Sequence, residues 1–228
     1  PDGAVERTRA SLGTGDADAF DEQRILDGAL DGASVWAFLG HADHLPGRER
    51  SSALVLGRAS ASDASDPSDG RLDCDEVERI AAPPLVFLAA CSTGAGPKRM
   101  GSGAVANLAG AFTRAGARCV VASRVDLLVG STALFVESFG ASFADGATVG
   151  EAVLEARRTV RATPGFEHPA HWMSLDVHGD DSLRIDAAST AAGGNGATSG
   201  SPALWFIGTA GLLAVVALAT TRRRAGTR

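Results

Sequence analysis

The chain has 228 residues, a formal net charge of −6 at pH 7 and a hydrophobic fraction of 45%. This length suits one domain of ordinary size with appendages. The acidic balance, without a basic stripe interleaved with aromatic residues, argues against nucleic-acid binding, so we expect no nucleic-acid partner.

Helix and strand signals alternate along the chain, which predicts an α/β domain with a mainly parallel sheet. We place this domain at residues 1–185. The predicted elements of its first half are a helix over 18–30, a buried strand over 34–40 that ends at His41, a short strand over 53–56, a surface excursion over 59–70 and a helix over 74–80.

The second half of the domain opens with another apolar run, typical of a strand covered on both faces. The predicted elements here are a strand over 84–90 that ends at Cys91, a helix over 104–115, a strand over 118–123, helices over 130–144 and 149–163, and a last strand over 172–177.

The C-terminal tail changes character twice. Residues 186–202 are rich in Ala, Gly, Ser and Thr and predict a flexible linker. Residues 203–221 carry no charge and, at about 1.5 Å per residue, nearly span a hydrocarbon core of roughly 30 Å. A buried core helix is the alternative, but the linker before this segment and the run of three arginines that opens the basic tail 222–228 favour a transmembrane helix.

The arginines also predict the orientation of this single-pass membrane protein. Positive charge favours the cytoplasmic side, so we expect a cytoplasmic C-terminus and an extracytoplasmic globular domain. The first residue is Pro1, and we expect an N-terminal region of the same parent chain to act as a partner of the domain.

Three cysteines, an odd number without zinc spacing, offer one candidate nucleophile. Cys119 lies in an apolar strand and is interpreted as a small buried hydrophobe. Cys74 stands among acidic residues, which should raise its pKa. Cys91 follows a buried strand, as His41 does, and reactive groups of parallel sheets lie at such carboxyl ends. A thiol and an imidazole there could form a nucleophile–base pair, which predicts a cysteine hydrolase.

Four groups of residues follow one another in a characteristic order: Phe38-Leu39-Gly40-His41, Leu85-Val86-Phe87-Leu88-Ala89-Ala90-Cys91-Ser92-Thr93-Gly94, Asn107-Leu108-Ala109-Gly110-Ala111-Phe112 and His168-Pro169-Ala170-His171-Trp172 with Val177-His178-Gly179-Asp180. Their order and spacing resemble the CHAT family, caspase-like domains related to separases, from about residue 19 to residue 179. The resemblance implies a caspase-like three-layer sandwich and a thiol peptidase without a cofactor, in which His41 and Cys91 match the family's histidine and nucleophile.

The resemblance further implies that the backbone N–H groups of Cys91 and Ala42 stabilise the oxyanion. The glycine-rich stretch after Cys91 would let a substrate backbone approach closely. The family usually has glycine where Ala42 stands, and a positive φ there would cost on the order of 1 kcal/mol. Residues 124–129 lack the family's tryptophan, and the strands that usually precede the matched region are missing. Asp126 could form an acidic wall for a basic substrate residue, although a loop or helix-capping role is favoured.

Several alternatives stay open. His41 could instead pair with Asp43, and His44 could replace it as the base. His41, Asp43 and His44 lack further ligands in metal spacing, so we expect no metal site. His168 and His171 are interpreted as turn residues.

We therefore predict a membrane-anchored, caspase-like cysteine endopeptidase that acts on protein or peptide substrates. The alternative is a catalytically inactive domain that binds a protein partner at the membrane. A thiol hydrolase of small esters is a third possibility.

Overall fold

The computed structural model describes residues 22–44, 49–56, 69–96, 107–185 and 205–208. A short 3₁₀ helix occupies Glu49–Ser51. The helices are α1 (Glu22–Leu26), α2 (Cys74–Val77), α3 (Leu108–Arg114), α4 (Val129–Ala144), α5 (Val149–Arg161) and α6 (Pro169–Trp172). The strands are β1 (Val35–Leu39), β2 (His41–Asp43), β3 (Ala53–Val55), β4 (Arg71–Asp73), β5 (Leu85–Ala89), β6 (Cys119–Ser123), β7 (Leu175–Gly179) and β8 (Trp205–Gly208).

Five strands form the central sheet, in the order β7-β6-β5-β1-β8. All neighbours are parallel except β7, which runs antiparallel to β6. The predicted α/β domain with a mainly parallel sheet is confirmed. A second, antiparallel sheet of three short strands, β2-β3-β4, was not expected from the sequence.

Every residue of β1, β5 and β6 is buried, because helices cover both faces of the sheet. On one face, Trp36 and Phe38 of β1 belong to a core that includes residues of α1, α2, α3 and the small sheet. On the other face, Val35, Ala37 and Leu39 pack in a core with α4 and α5. The described part of the domain therefore has three layers, and the double covering explains the continuous apolar runs.

The end of the domain differs from the prediction in one respect. The last strand begins at Leu175, not at residue 172, because α6 precedes it. Pro169 is at the first position of α6, and the His168 side chain accepts a hydrogen bond from Ala170 N–H at 3.2 Å. His168 thus caps a short helix before the final strand, and His171 lies within that helix.

Of the predicted transmembrane segment 203–221, the structure describes only residues 205–208, and these are extended and not helical. They pair in parallel with β1, with Trp205 opposite Trp36. An edge strand offers unpaired N–H and C=O groups that an extended segment can satisfy. None of the helices in the described ranges is both long and apolar enough to cross a bilayer. The predicted linker 186–202 and residues 209–221 lie outside the described residues.

Candidate active site

The pairing of β1 with β5 brings the positions of His41 and Cys91 to the same edge of the sheet. Leu39 is opposite Ala89 in the parallel register, and His41 and Cys91 each follow two residues later. The Gly40 N–H still donates to the Ala89 carbonyl at 3.2 Å. Since neighbouring strands lie about 4.8 Å apart, the two chain positions are close at the carboxyl edge.

Gly40 allows the chain to leave the central sheet immediately before His41. A Cβ atom at Gly40 would lie 2.8 Å from the Phe38 ring, which is buried and cannot yield. From His41 onward the chain forms β2 and pairs with β3, so that His41 is opposite Val55. The His41 side chain is exposed as a result.

Cys91 is half-buried, and its sulfur faces the loop between β6 and α4. The Leu127 N–H donates to the Cys91 Sγ at 3.4 Å. Both side chains of the predicted dyad are described, and no hydrogen bond joins the His41 ring to the Cys91 sulfur.

The other two cysteines lie in the interior. Cys74 and Cys119 are fully buried, and burial raises the pKa of each thiol to about 12. The raised pKa of Cys74 agrees with the prediction, but burial is its largest cause, ahead of the nearby acids. Of the three thiols, Cys91 is therefore the one that a substrate can reach.

The turn after Cys91 is held by residues that the sequence analysis did not single out. Ser92 has a φ of +55°, a left-handed conformation that costs a non-glycine residue energy. Its N–H donates to the Val125 carbonyl at 3.1 Å, and its Oγ donates to the Asp126 Oδ1 at 3.3 Å. These bonds tie the turn to the loop that also contacts the sulfur.

Thr93 and Ser123 continue this connection into the core. The buried Thr93 Oγ1 donates to the Ala90 carbonyl at 3.3 Å and accepts the Ser123 N–H at 3.1 Å. Hydroxyl-bearing residues directly after a buried strand are the sequence signal that could have indicated this role.

Gly94 serves close packing within the protein itself. Its N–H donates to the Ser123 carbonyl at 2.7 Å. A Cβ atom at Gly94 would lie 2.9 Å from the His178 Nε2 and 3.3 Å from the Ser123 carbonyl oxygen. Gly94 is therefore needed for packing within the protein. The close approach of a substrate backbone to the glycine-rich stretch stays a prediction, and residues 97–106 of the stretch lie outside the described residues.

Asp126 is an exposed loop residue beside the Cys91 turn. It accepts the hydrogen bond from Ser92 and precedes Leu127, whose N–H contacts the sulfur. It does not cap α4, since the N-cap residue is Leu128 and makes no side-chain capping bond.

The two predicted oxyanion donors, the backbone N–H groups of Ala42 and Cys91, both belong to described residues. Ala42 lies in the extended strand β2 opposite Leu54, and within the described part of the chain the one non-glycine residue with positive φ is Ser92. The strain considered for Ala42 therefore does not arise. The Ser92 N–H is already bonded, whereas the Cys91 N–H makes no hydrogen bond to another described residue.

The neighbours of His41 have other partners. Asp43 forms an ion pair with Arg71, and the His44 Nδ1 lies 3.4 Å from the Ser52 Oγ. No group of three His, Cys, Asp or Glu side chains that could hold a metal ion occurs among the described residues.

These observations define a mixed α/β domain with an accessible thiol and an exposed imidazole at one edge of a mainly parallel sheet. A family model for the CHAT domain matches residues 14–180, and the chain belongs to the CHAT family. The resemblance inferred from residues 19–179 is thus confirmed.

Two curated relatives, one human and one from mouse, have the same name. The chain is 26% identical over 171 residues to Tetratricopeptide repeat protein 28 of Homo sapiens. The aligned region makes up 74% of this chain and 7% of the relative. The chain is also 29% identical over 83 residues to Tetratricopeptide repeat protein 28 of Mus musculus. This aligned region makes up 36% of this chain and 3% of the relative. The chain thus spans a small fraction of the length of these relatives.

Proposed function

We propose that this domain is a caspase-like cysteine endopeptidase that cleaves peptide bonds of protein substrates through Cys91 and His41. The observation that carries the proposal is the parallel register of β1 and β5, which delivers both residues to one edge of the sheet. Family membership and the three-layer architecture support it, since reactive groups of such sheets lie at the carboxyl ends of the strands.

The chemistry follows from the residue types. The His41 imidazole takes the proton of the Cys91 thiol, and the thiolate attacks the scissile carbonyl carbon. The tetrahedral intermediate collapses to a thioester as His41 donates its proton to the leaving amine. Water, deprotonated by His41, then hydrolyses the thioester and restores the thiol.

Two backbone groups are suited to the oxyanion of the tetrahedral intermediate. They are the N–H of Cys91, which has no partner among the described residues, and the N–H of Ala42 at the start of β2. Loss of one such donor typically costs 10²–10³-fold in kcat, as a rough general figure. The exposed Asp126 carboxylate is placed to receive a basic substrate residue near the turn.

A second candidate function rests on a specific observation. The His41 ring and the Cys91 sulfur are not hydrogen-bonded to each other. The sulfur instead accepts a hydrogen bond from the Leu127 N–H. In this alternative, the domain is catalytically inactive and binds a protein partner at the membrane.

The test is proteolysis by the full chain of a mixed peptide library, with self-cleavage followed in the same samples. Cys91→Ala and His41→Ala should each lower the rate by about 10³-fold or more, as with other nucleophile–base pairs. His44→Ala is the matched control and should retain activity. If the folded wild type cleaves nothing, the inactive binding domain is favoured; if His44→Ala alone abolishes cleavage, His44 is the base.

We also propose that residues 203–221 anchor the chain in a membrane, with a cytoplasmic C-terminus and the domain outside. In this anchored state residues 205–208 would leave the edge of β1 with which they pair in the structure. The uncharged segment followed by Arg222, Arg223 and Arg224 supports this orientation. Leu212→Arg should weaken co-flotation of the full chain with phospholipid vesicles, since a central arginine costs about 2.5–3.5 kcal/mol on insertion. Leu154→Arg, on the exposed face of α5, is the control. Equal flotation of both variants would count against the anchor.

We further propose that another region of the same parent chain is a partner of the domain. The region that matches this chain is a small fraction of the length of its relatives, which are named for tetratricopeptide repeats. No cofactor enters the proposed reaction.

A further inference from the structure

Exposed apolar side chains are concentrated at the edge of the sheet that holds Cys91. Within the described residues, Val125, Leu128 and Val129 expose between 46% and 69% of their surface. All three belong to the loop between β6 and α4 or to the first residue of α4. A fourth exposed apolar side chain, Val55, lies on β3. Clustered exposed apolar groups of this kind mark binding surfaces.

The backbone of the loop that carries these side chains is hydrogen-bonded to the proposed site. The Val125 carbonyl accepts the Ser92 N–H at 3.1 Å, one residue after the nucleophile. The N–H of Leu127, the residue before Leu128, donates a hydrogen bond to the Cys91 Sγ at 3.4 Å. On the other side of the site, Val55 is directly opposite His41 in the small sheet, so their side chains share one face.

From this placement we infer that the site selects peptides with a branched aliphatic residue beside the scissile bond. Val125, Leu128 and Val129 would take up that residue on the side of Cys91, and Val55 would border the peptide on the side of His41. The inference rests on the proposed peptide-cleaving function and specifies its substrate class. An extended peptide is the occupant because the loop that carries the apolar side chains also contacts the thiol that would attack it.

The Asp126 carboxylate accepts a hydrogen bond from the Ser92 hydroxyl, and this bond directs the carboxylate toward the turn. A basic substrate residue at Asp126 and an aliphatic residue at Leu128 would occupy different positions of the same peptide.

Binding measured apart from cleavage tests the inference. The full chain with Cys91→Ser is incubated with a positional peptide library, and the bound peptides are sequenced by mass spectrometry. Leu, Ile and Val should be enriched about tenfold over Asp at one position, as expected for one aliphatic side chain in an apolar subsite. Adding Val125→Ser and Leu128→Ser should remove the enrichment. Adding Leu154→Ser, which alters a comparably exposed leucine on α5, should leave it unchanged.

The outcomes separate this inference from the proposed function. Aliphatic enrichment that depends on Val125 and Leu128 supports the inference, whether or not the wild type cleaves the same library. Enrichment of basic residues alone, enrichment that survives both serine substitutions, or no bound peptide would overturn it. Far-UV circular dichroism and the thermal midpoint verify that each variant is folded, and cleavage by the wild type in parallel reports on the proposed function.

Discussion

The two exits from the central sheet, after β1 and after β5, differ in how firmly they are held. After β1 the chain turns at Gly40 and places His41 in a separate small sheet, where the side chain is exposed. After β5 the chain turns at Cys91, and the residues that follow are bonded to the end of β6 and the loop beyond it. The proposed nucleophile is therefore positioned by the central core, while the proposed base is carried by a peripheral sheet.

This difference has a consequence for catalysis. Effective attack requires the two groups to come within hydrogen-bond reach, and in the free enzyme such contacts are often long. Since the Cys91 turn is fixed on several sides, we expect that adjustment of the small sheet brings the His41 ring to the sulfur. The following predictions test the comparison, from the largest expected effect to the smallest.

The largest contrast is expected between the thiol at the edge and the thiols in the interior. Iodoacetamide at pH 8 should modify one cysteine per native chain quickly and the other two at least about a hundredfold more slowly. Modification of Cys74 and Cys119 must await opening of the core, and their pKa values of about 12 keep thiolate scarce. Mass spectrometry after timed quenching measures the rates.

Cys91→Ala should remove the fast phase alone. Rapid labelling of Cys74 in the native chain would contradict the assignment of the interior cysteines.

Thr93→Val should lower the free energy of unfolding by about 1–3 kcal/mol. Valine has nearly the same shape but leaves the buried Ser123 N–H without its acceptor. Urea denaturation followed by fluorescence gives the change. The half-buried Thr163, whose hydroxyl donates to the Thr159 carbonyl, provides a control in Thr163→Val. Equal losses in the two variants would show that the Cys91 turn gains no special support from Thr93.

Ser92 should show an inverted preference between glycine and alanine. At its φ of +55° the Ser92→Gly variant should be more stable than Ser92→Ala by about 1 kcal/mol, because only glycine adopts this conformation without strain. At Ser138, within α4, the matched pair should show the ordinary order, with alanine more stable than glycine. Thermal unfolding of the four variants decides between strain at Ser92 and a relaxed turn.

The smallest effect is expected at the small sheet. Asp43→Asn removes the exposed ion pair with Arg71 and should change the free energy of unfolding by less than about 1 kcal/mol. The change should shrink further in 1 M salt, where screening is strong. A loss of several kcal/mol, measured by urea denaturation at low salt, would mean that the His41 exit is held as firmly as the Cys91 exit. Arg71→Gln is the reciprocal variant and should give the same small effect.

Much of the fold was predictable because burial on both faces leaves a mark in the local pattern. The apolar runs of β1, β5 and β6 are strands close to the expected bounds, and α4 and α5 begin within one residue of prediction. Less was predictable where the chain changes sheets. One glycine separates β1 from β2, and nothing in the apolar run before His41 indicates that the chain then enters a second sheet.

The amino-acid sequence by itself determined the alternating elements, the family and the choice of Cys91 over two buried cysteines, since each depends on local apolar patterns and residue types. Only the tertiary structure decided which strands are neighbours, that Asp126 lies beside Ser92, and that Leu127 contacts the sulfur. The physical reason is that hydrogen bonds between residues more than thirty positions apart depend on strand order and register, which the local pattern does not contain.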